Sequence, residues 1–236
     1  MMNTILFDLD GTLLSMDAEE FEKVYFNEIG KSFSDLMDPM ELGKHIWAST
    51  KTMVSSLDER TNEEVFMQDF NIRVNNRLHE FWHRFDNFYD NEFLRVQSSV
   101  KSEEKMIRSV KLLKEKGYNV VVVTNPLFPI KAIHHRIRWA GFKPEDFTYI
   151  TSFEKNHYCK PQIKLYEEVL KDINKKPGEC LMVGNDTVED LVAKNIGIKT
   201  YLIKDNILNK NDKSYVTDYE GNYEEFYKFV EGLPCI

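Results

Sequence analysis

Short apolar runs alternate along this chain with longer stretches in which apolar positions recur every three or four residues. Ile5 to Phe7, Val120 to Val123, Phe147 to Ile150, Leu181 to Val183 and Tyr201 to Ile203 are mostly apolar, the pattern of strands covered on both faces. Between them, 103–116, 128–140 and 187–196 carry helical periodicity, and Gly117, Gly141 and Gly197 follow where such helices would stop. A last helix is expected around 222–231, and Leu208 to Ser214 reads as a loop. Strands linked by helical crossovers run parallel, so the pattern predicts a doubly wound, Rossmann-like α/β sheet built from residues 1–14 and 99–236.

Residues 15–98 break this alternation. Valine and isoleucine runs vanish, and 17–29, 38–57 and 62–97 all suit helices. Phe81, Phe85 and Phe88 recur at i, i+4 and i+7, the stripe expected for the core of an all-helical insertion. The 236-residue chain has a net charge of −8, and its placement is uneven. Residues 14–98 hold 17 acids against 9 bases while the remainder is balanced, so the whole excess lies in the insertion. Such a balance opposes binding to nucleic acid or to an anionic membrane, and no apolar run reaches the roughly 20 residues that cross a bilayer. Cys159, Cys180 and Cys235 are widely separated and lack zinc-type spacing, which predicts reduced thiols and a cytoplasmic protein. Nothing in the sequence identifies a protein partner.

In doubly wound sheets, ligands sit beyond the carboxyl ends of the strands, where this chain places Asp8, Asp10, Thr124, Asn185 and Asp186. Asp8 and Asp10 stand two residues apart at a strand end, so their side chains point the same way and repel unless a cation or a proton joins them. Beside a divalent metal both can ionise and divide the labour, one as nucleophile and one as general acid/base. A competing signal is His79-Glu80-Phe81-Trp82-His83, which satisfies the H-E-x-x-H zinc pattern with Glu103 or Glu104 as a third ligand. It sits inside the aromatic stripe of the insertion and reads as incidental.

Asp8-Leu9-Asp10-Gly11-Thr12-Leu13 resembles the first motif of the haloacid dehalogenase superfamily, a group of aspartate-nucleophile phosphohydrolases and phosphomutases. Three further pieces follow in the family's order: Thr124 in Val123-Thr124-Asn125, Lys160 in Cys159-Lys160-Pro161, and Gly184-Asn185-Asp186 with Glu189-Asp190. The resemblance implies in-line attack by Asp8 to give an aspartyl-phosphate, and proton transfer by Asp10. It implies that Thr124, the Asn125 amide and Lys160 bind the phosphoryl group. A magnesium ion would be held by Asp8, Asp10, Asp186 and Asp190. One departure stands out, because many members have Gly-Asp where this chain has Gly184-Asn185. Asp186 is the preferred ligand, since a hard cation gains more from a carboxylate than from an amide oxygen, and Asn185 is the alternative.

An acid at position 10 distinguishes phosphate chemistry from dehalogenation, whose leaving halide needs no proton. The resemblance therefore implies a magnesium-dependent phosphatase acting on a small phosphorylated metabolite, with residues 15–98 as a helical cap. A phosphomutase of the same superfamily and a non-catalytic phosphoacceptor domain stay open as alternatives.

Overall fold

The computed structural model describes residues 1–209 and 213–236. The expected loop at 208–214 therefore falls partly outside the described residues. Strand β1 (Thr4–Phe7) leads through β2 (Leu14–Met16) into four helices, α1 (Ala18–Ser32), α2 (Pro39–Ser55), α3 (Asn62–Arg73) and α4 (Leu78–Asp90). A 3-10 segment at Glu92–Ser99 leads to β3 (Val100–Ser102), α5 (Glu104–Glu115), β4 (Asn119–Val122), α6 (Ile130–Trp139) and α7 (Ile163–Asp172). The chain closes with β5 (Cys180–Gly184), β6 (Lys199–Ile203), β7 (Tyr219–Gly221) and α8 (Tyr223–Gly232).

Five strands form one parallel sheet in the order β4-β1-β5-β6-β7. The α/β expectation is met. Alternation of side chains along each strand divides the sheet's two faces. Ile5, Phe7, Val120, Val122, Leu181 and Val183 join the cluster that contains residues of α5, α6 and α8. Leu6, Val121 and Met182 join the opposite cluster, with Leu165, Tyr166 and Val169 of α7. Phe7 is paired with both Val122 and Val183, so β4, β1 and β5 end at nearly one level. Asp8, Thr124 and Asn185 follow those ends at almost the same height, which is what lets distant motifs meet.

Helices α1 to α4 bury a third cluster that includes Phe33, Phe70, Phe81, Phe85 and Phe88. Phe81 packs on Phe33 and Phe70 with ring centroids 5.9 and 5.5 Å apart. The chain enters and leaves this helical segment through β2 and β3, which pair antiparallel from Leu14 opposite Ser102 to Met16 opposite Val100. Among the described residues, no helix is long and apolar enough to cross a membrane.

Three expectations need correction. The stretch 62–97, expected to be helical, is divided into α3, α4 and the 3-10 segment, and the break between α3 and α4 falls where Asn75 and Asn76 turn the chain with φ of 54° and 62°. Asparagine tolerates that left-handed region better than most residues. The helix expected over 187–196 shrinks to a 3-10 turn at Leu191–Ile196. There the Asp186 carboxylate accepts from the amides of Val188 and Glu189 at 2.7 and 2.9 Å, and side-chain acceptance of this kind competes with a regular helical turn. The strand expected at Phe147–Ile150 is reduced to an isolated bridge between Val122 and Ile150.

Removing the Phe81 ring should leave a cavity in the helical cluster. Phe81→Ala is expected to cost roughly 3–5 kcal/mol, read as a lower urea midpoint.

Candidate active site

Lys160 is the centre of the site. Its Nζ lies 2.7 Å from Asp8 Oδ1 and 2.6 Å from Asp190 Oδ1, and all three side chains are buried. Burial works against the ammonium charge, but Asp190 and Asp8 outweigh it and hold the lysine well above its ordinary pKa. Burial pushes Asp8 upward, Lys160 pulls it back, and the neighbouring Asp10 adds repulsion, leaving Asp8 above the usual carboxylate range. Asp190 is pushed up to about 6 by burial, against the pull of Lys160.

The main chain at Lys160 is fixed by Asn125. Asn125 Oδ1 accepts from the Lys160 amide at 3.2 Å, and its Nδ2 donates to the Lys160 carbonyl at 3.4 Å and to Glu189 Oε2 at 3.0 Å. The Thr124 side chain is buried beside it, and its carbonyl accepts from the Thr151 hydroxyl at 2.7 Å. Glu189 is pushed up to about 7, chiefly by burial, with Asp186 and Asp190 adding to the rise.

Two glycines make this packing possible. Gly11 has a φ of 85°, and a Cβ there would meet Asn185 Nδ2 at 2.2 Å. A Cβ at Gly184 would meet Asp190 Oδ2 at 2.1 Å. Asn185 lies buried across the loop that follows β1. Its Oδ1 accepts from the Thr12 hydroxyl at 3.1 Å, and its Nδ2 donates to the Asn206 carbonyl at 2.7 Å. The same hydroxyl lies 3.4 Å from Asp8 Oδ2, so Thr12 touches Asp8 and Asn185 together.

The structure thus joins Asp8, Lys160 and Asp190 directly, with Asn125 and Asn185 one contact away. Asp186 is placed differently: one of its oxygens is engaged by the Val188 and Glu189 amides of its own turn. Among the described residues, no group of three or more His, Cys, Asp or Glu side chains is arranged to hold a metal ion. Oxygens suited to a hard cation are nevertheless open. Among the described residues, the side-chain contact of Asp8 Oδ2 is the long one to Thr12, and Asp10 Oδ1 is buried with no partner.

Asp10 has a partner that the sequence reading missed. Arg136 of α6, 1% exposed, donates through Nη1 to Asp10 Oδ2 and lies 4.5 Å from the Phe128 ring centroid. Its Nε and Nη2 have no acceptor among the described residues. Helical spacing places Arg136 on the buried face of α6 with Ala132, Ile133 and Ile137, so periodicity carried a signal that this arginine points inward. Of the H-E-x-x-H residues, His79 and His83 are exposed on α4 and Glu80 pairs with Arg77, while Glu103 caps α5.

Comparison with known proteins places these features in context. The sequence profile of the haloacid dehalogenase-like hydrolases matches residues 5–203. The chain is 25% identical to the pyrophosphatase PpaX of Halalkalibacterium halodurans over 234 residues, covering 94% of this chain and 91% of the relative. A HAD phosphatase from Thermococcus onnurineus superposes with a TM-score of 0.64 at 20% identity, covering 100% of both chains. The HAD-hydrolase YfnB of Bacillus subtilis, whose crystal structure contains magnesium, superposes with a TM-score of 0.59 at 17% identity over 98% of this chain and 99% of its own.

Taking away the buried ammonium strands two carboxylates. Lys160→Met is expected to lower folding stability by roughly 3–5 kcal/mol near pH 8. The deficit should shrink as the pH falls toward about 6, because Lys160 holds the carboxylates down and its loss lets the stranded groups take up protons at a higher pH than in the intact protein. Urea denaturation at pH 8 and pH 5 measures both values.

Proposed function

Because the chain belongs to the haloacid dehalogenase-like hydrolases, we propose that it is a phosphatase that hydrolyses a small phosphomonoester through an aspartyl-phosphate on Asp8, with magnesium as cofactor. The observation that carries this reading is the Lys160 ammonium buried against Asp8 at a sheet edge where three strand ends meet. A phosphoryl group entering there would have a carboxylate nucleophile and a fixed positive charge on adjacent sides, the arrangement phosphoryl transfer requires.

Asp8 would attack phosphorus in line and break the bond to the leaving oxygen. Asp10 would give that oxygen a proton, then take one from the water that cleaves the aspartyl-phosphate and regenerates Asp8. The unpartnered Asp10 Oδ1 is the atom available for the exchange, since Oδ2 is held by Arg136. Thr124 and the main-chain amide of Asn125 would hold the phosphoryl oxygens, the Asn125 side chain being committed to Lys160 and Glu189. Asp8 and the Asn185 amide oxygen would bind the magnesium ion with help from Asp10, because the shared Thr12 contact brings Asn185 to Asp8. Asp186 and Asp190 would act behind them, Asp190 through Lys160. The ion would supply positive charge to balance the carboxylates and the phosphoryl oxygens.

We further propose that residues 15–98 form a cap over a core of 1–14 and 99–236, with β2 and β3 as the two junctions. Closure of that cap would exclude water and present the leaving group.

A panel of phosphorylated metabolites with inorganic phosphate as readout tests the reading. Release is expected with added magnesium and is expected to vanish with EDTA. Asp8→Asn should fold normally and release no phosphate above the blank, whereas unchanged release would exclude Asp8 as the nucleophile. Lys160→Ala should lower kcat/KM by roughly a hundredfold or more in whatever fraction folds.

A further inference from the structure

Beside Asp10, on the side of the helical segment, the structure encloses a cavity of about 350 Å³, a size that holds a small organic ligand. Its wall is largely aromatic, with Phe21 and Trp47 from α1 and α2, Phe66 from α3, Phe85 from α4, and Phe128 and Phe153 from the core loops. The hydroxyls of Tyr25 and Tyr89, two further wall residues, lie 3.0 Å apart and share one hydrogen bond, so these residues offer a ligand ring surface and at most one hydroxyl hydrogen. Trp47 and Trp82 keep 48% and 41% of their surface exposed, apolar area that a ligand could cover.

The charged groups around the cavity are of nearly one sign. Asp10, Glu22, Glu63, Asp86 and Glu154 line it, and Lys131 is the only base among its described lining residues. Lys131 is already spent, with Nζ 2.6 Å from Asp86 and 2.7 Å from Asp90. Asp10 is matched by Arg136, and both oxygens of Glu154 accept from the Ile130 amide at 3.0 and 3.1 Å. Glu22 and Glu63 make no side-chain hydrogen bond or ion pair among the described residues. Glu63 is raised above its ordinary pKa by burial and by Glu154 and Glu64, which marks a region where added negative charge is unwelcome and positive charge is welcome.

From this we infer that the leaving group of the substrate is an aromatic-sized apolar body that carries a positive charge and no second anion. Aromatic faces and uncompensated carboxylates both attract an organic ammonium group, and among the described lining residues no cation is left unpaired to receive a second phosphate or a carboxylate, Arg136 with its two unpartnered nitrogens not being one of them. This sets the chain apart from its relative named a pyrophosphatase, whose name implies a leaving group that is itself phosphate. The inference rests on the phosphatase reading above and names the substrate class of the same site.

The test uses the whole chain with magnesium and three esters on one frame: benzyl phosphate, its para-aminomethyl derivative, which is cationic at neutral pH, and its para-carboxylate. Pyrophosphate and p-nitrophenyl phosphate complete the set. The cationic ester is expected to have the highest kcat/KM, and benzyl phosphate to exceed the para-carboxylate by roughly tenfold or more. Glu63→Gln should reduce the ratio of cationic to neutral ester, and an unmoved ratio would remove Glu63 from the account. If the para-carboxylate or pyrophosphate is hydrolysed as efficiently as benzyl phosphate, the inferred substrate class is wrong while the phosphatase reading survives. If none of the five compounds, p-nitrophenyl phosphate included, releases phosphate, the phosphatase reading fails and this inference goes with it.

Discussion

A lysine ammonium buried between two carboxylates is the constraint on which the rest of this molecule turns. Removing an ion from water costs several kcal/mol even after relaxation, a cost that the contacts of Lys160 with Asp8 and Asp190 offset. Those partners come from opposite ends of the sequence, one after β1 and one in the turn after β5. They can reach the same nitrogen only because β1 and β5 pair with Phe7 opposite Val183. A slip of one residue would reverse the facing of every side chain on β1 and break the triad. Sheet register and the charge distribution of the site are thus one problem: the pairing that satisfies the apolar faces also delivers the counter-ions.

The parts of the structure that were legible are those in which local pattern and tertiary demand agree. Ile5 to Phe7, Val120 to Val122 and Leu181 to Val183 are apolar because both sheet faces are covered, and they are strands for the same reason. Asp8, Lys160 and Asp190 could be named because their motifs stand in a recognisable order, and the fold unites them. What escaped was decided by contacts across the chain. Side-chain acceptance by Asp186 converts an expected helix into a tight turn, and two left-handed asparagines divide a stretch expected to be helical near residue 75. Asn185 reaches Asp8 through Thr12, a residue contained in the first motif but given no role by it.

Arg136 shows the same limit from the other side. Its place on the inner face of α6 follows from helical spacing, yet spacing cannot say that the inner face meets Asp10. Once that contact is known, the two oxygens of Asp10 cease to be equivalent. The one on Arg136 is anchored, and the other is buried without a partner among the described residues, which leaves it for the proton transfer we propose. An acid placed by one oxygen and used through the other is held in orientation without being consumed by its own support.

The acidic surplus of residues 14–98 can now be followed to its destinations. It is what remains after the pairs made within the helical segment, where Glu28 binds Lys31 and Arg95, Asp69 binds Arg73, and Glu80 binds Arg77. Asp86 and Asp90 reach across to Lys131 of the core and tie α4 to α6. Glu22 and Glu63 are different, since they border the aromatic cavity beside Asp10 and have no cationic partner among the described residues. A surplus that reads in the sequence as a solvated surface is, in part, a field imposed on the space beside the proposed chemistry. Because aromatic walls lower the local dielectric, that field acts more strongly on an enclosed ligand than the same charges would in open water.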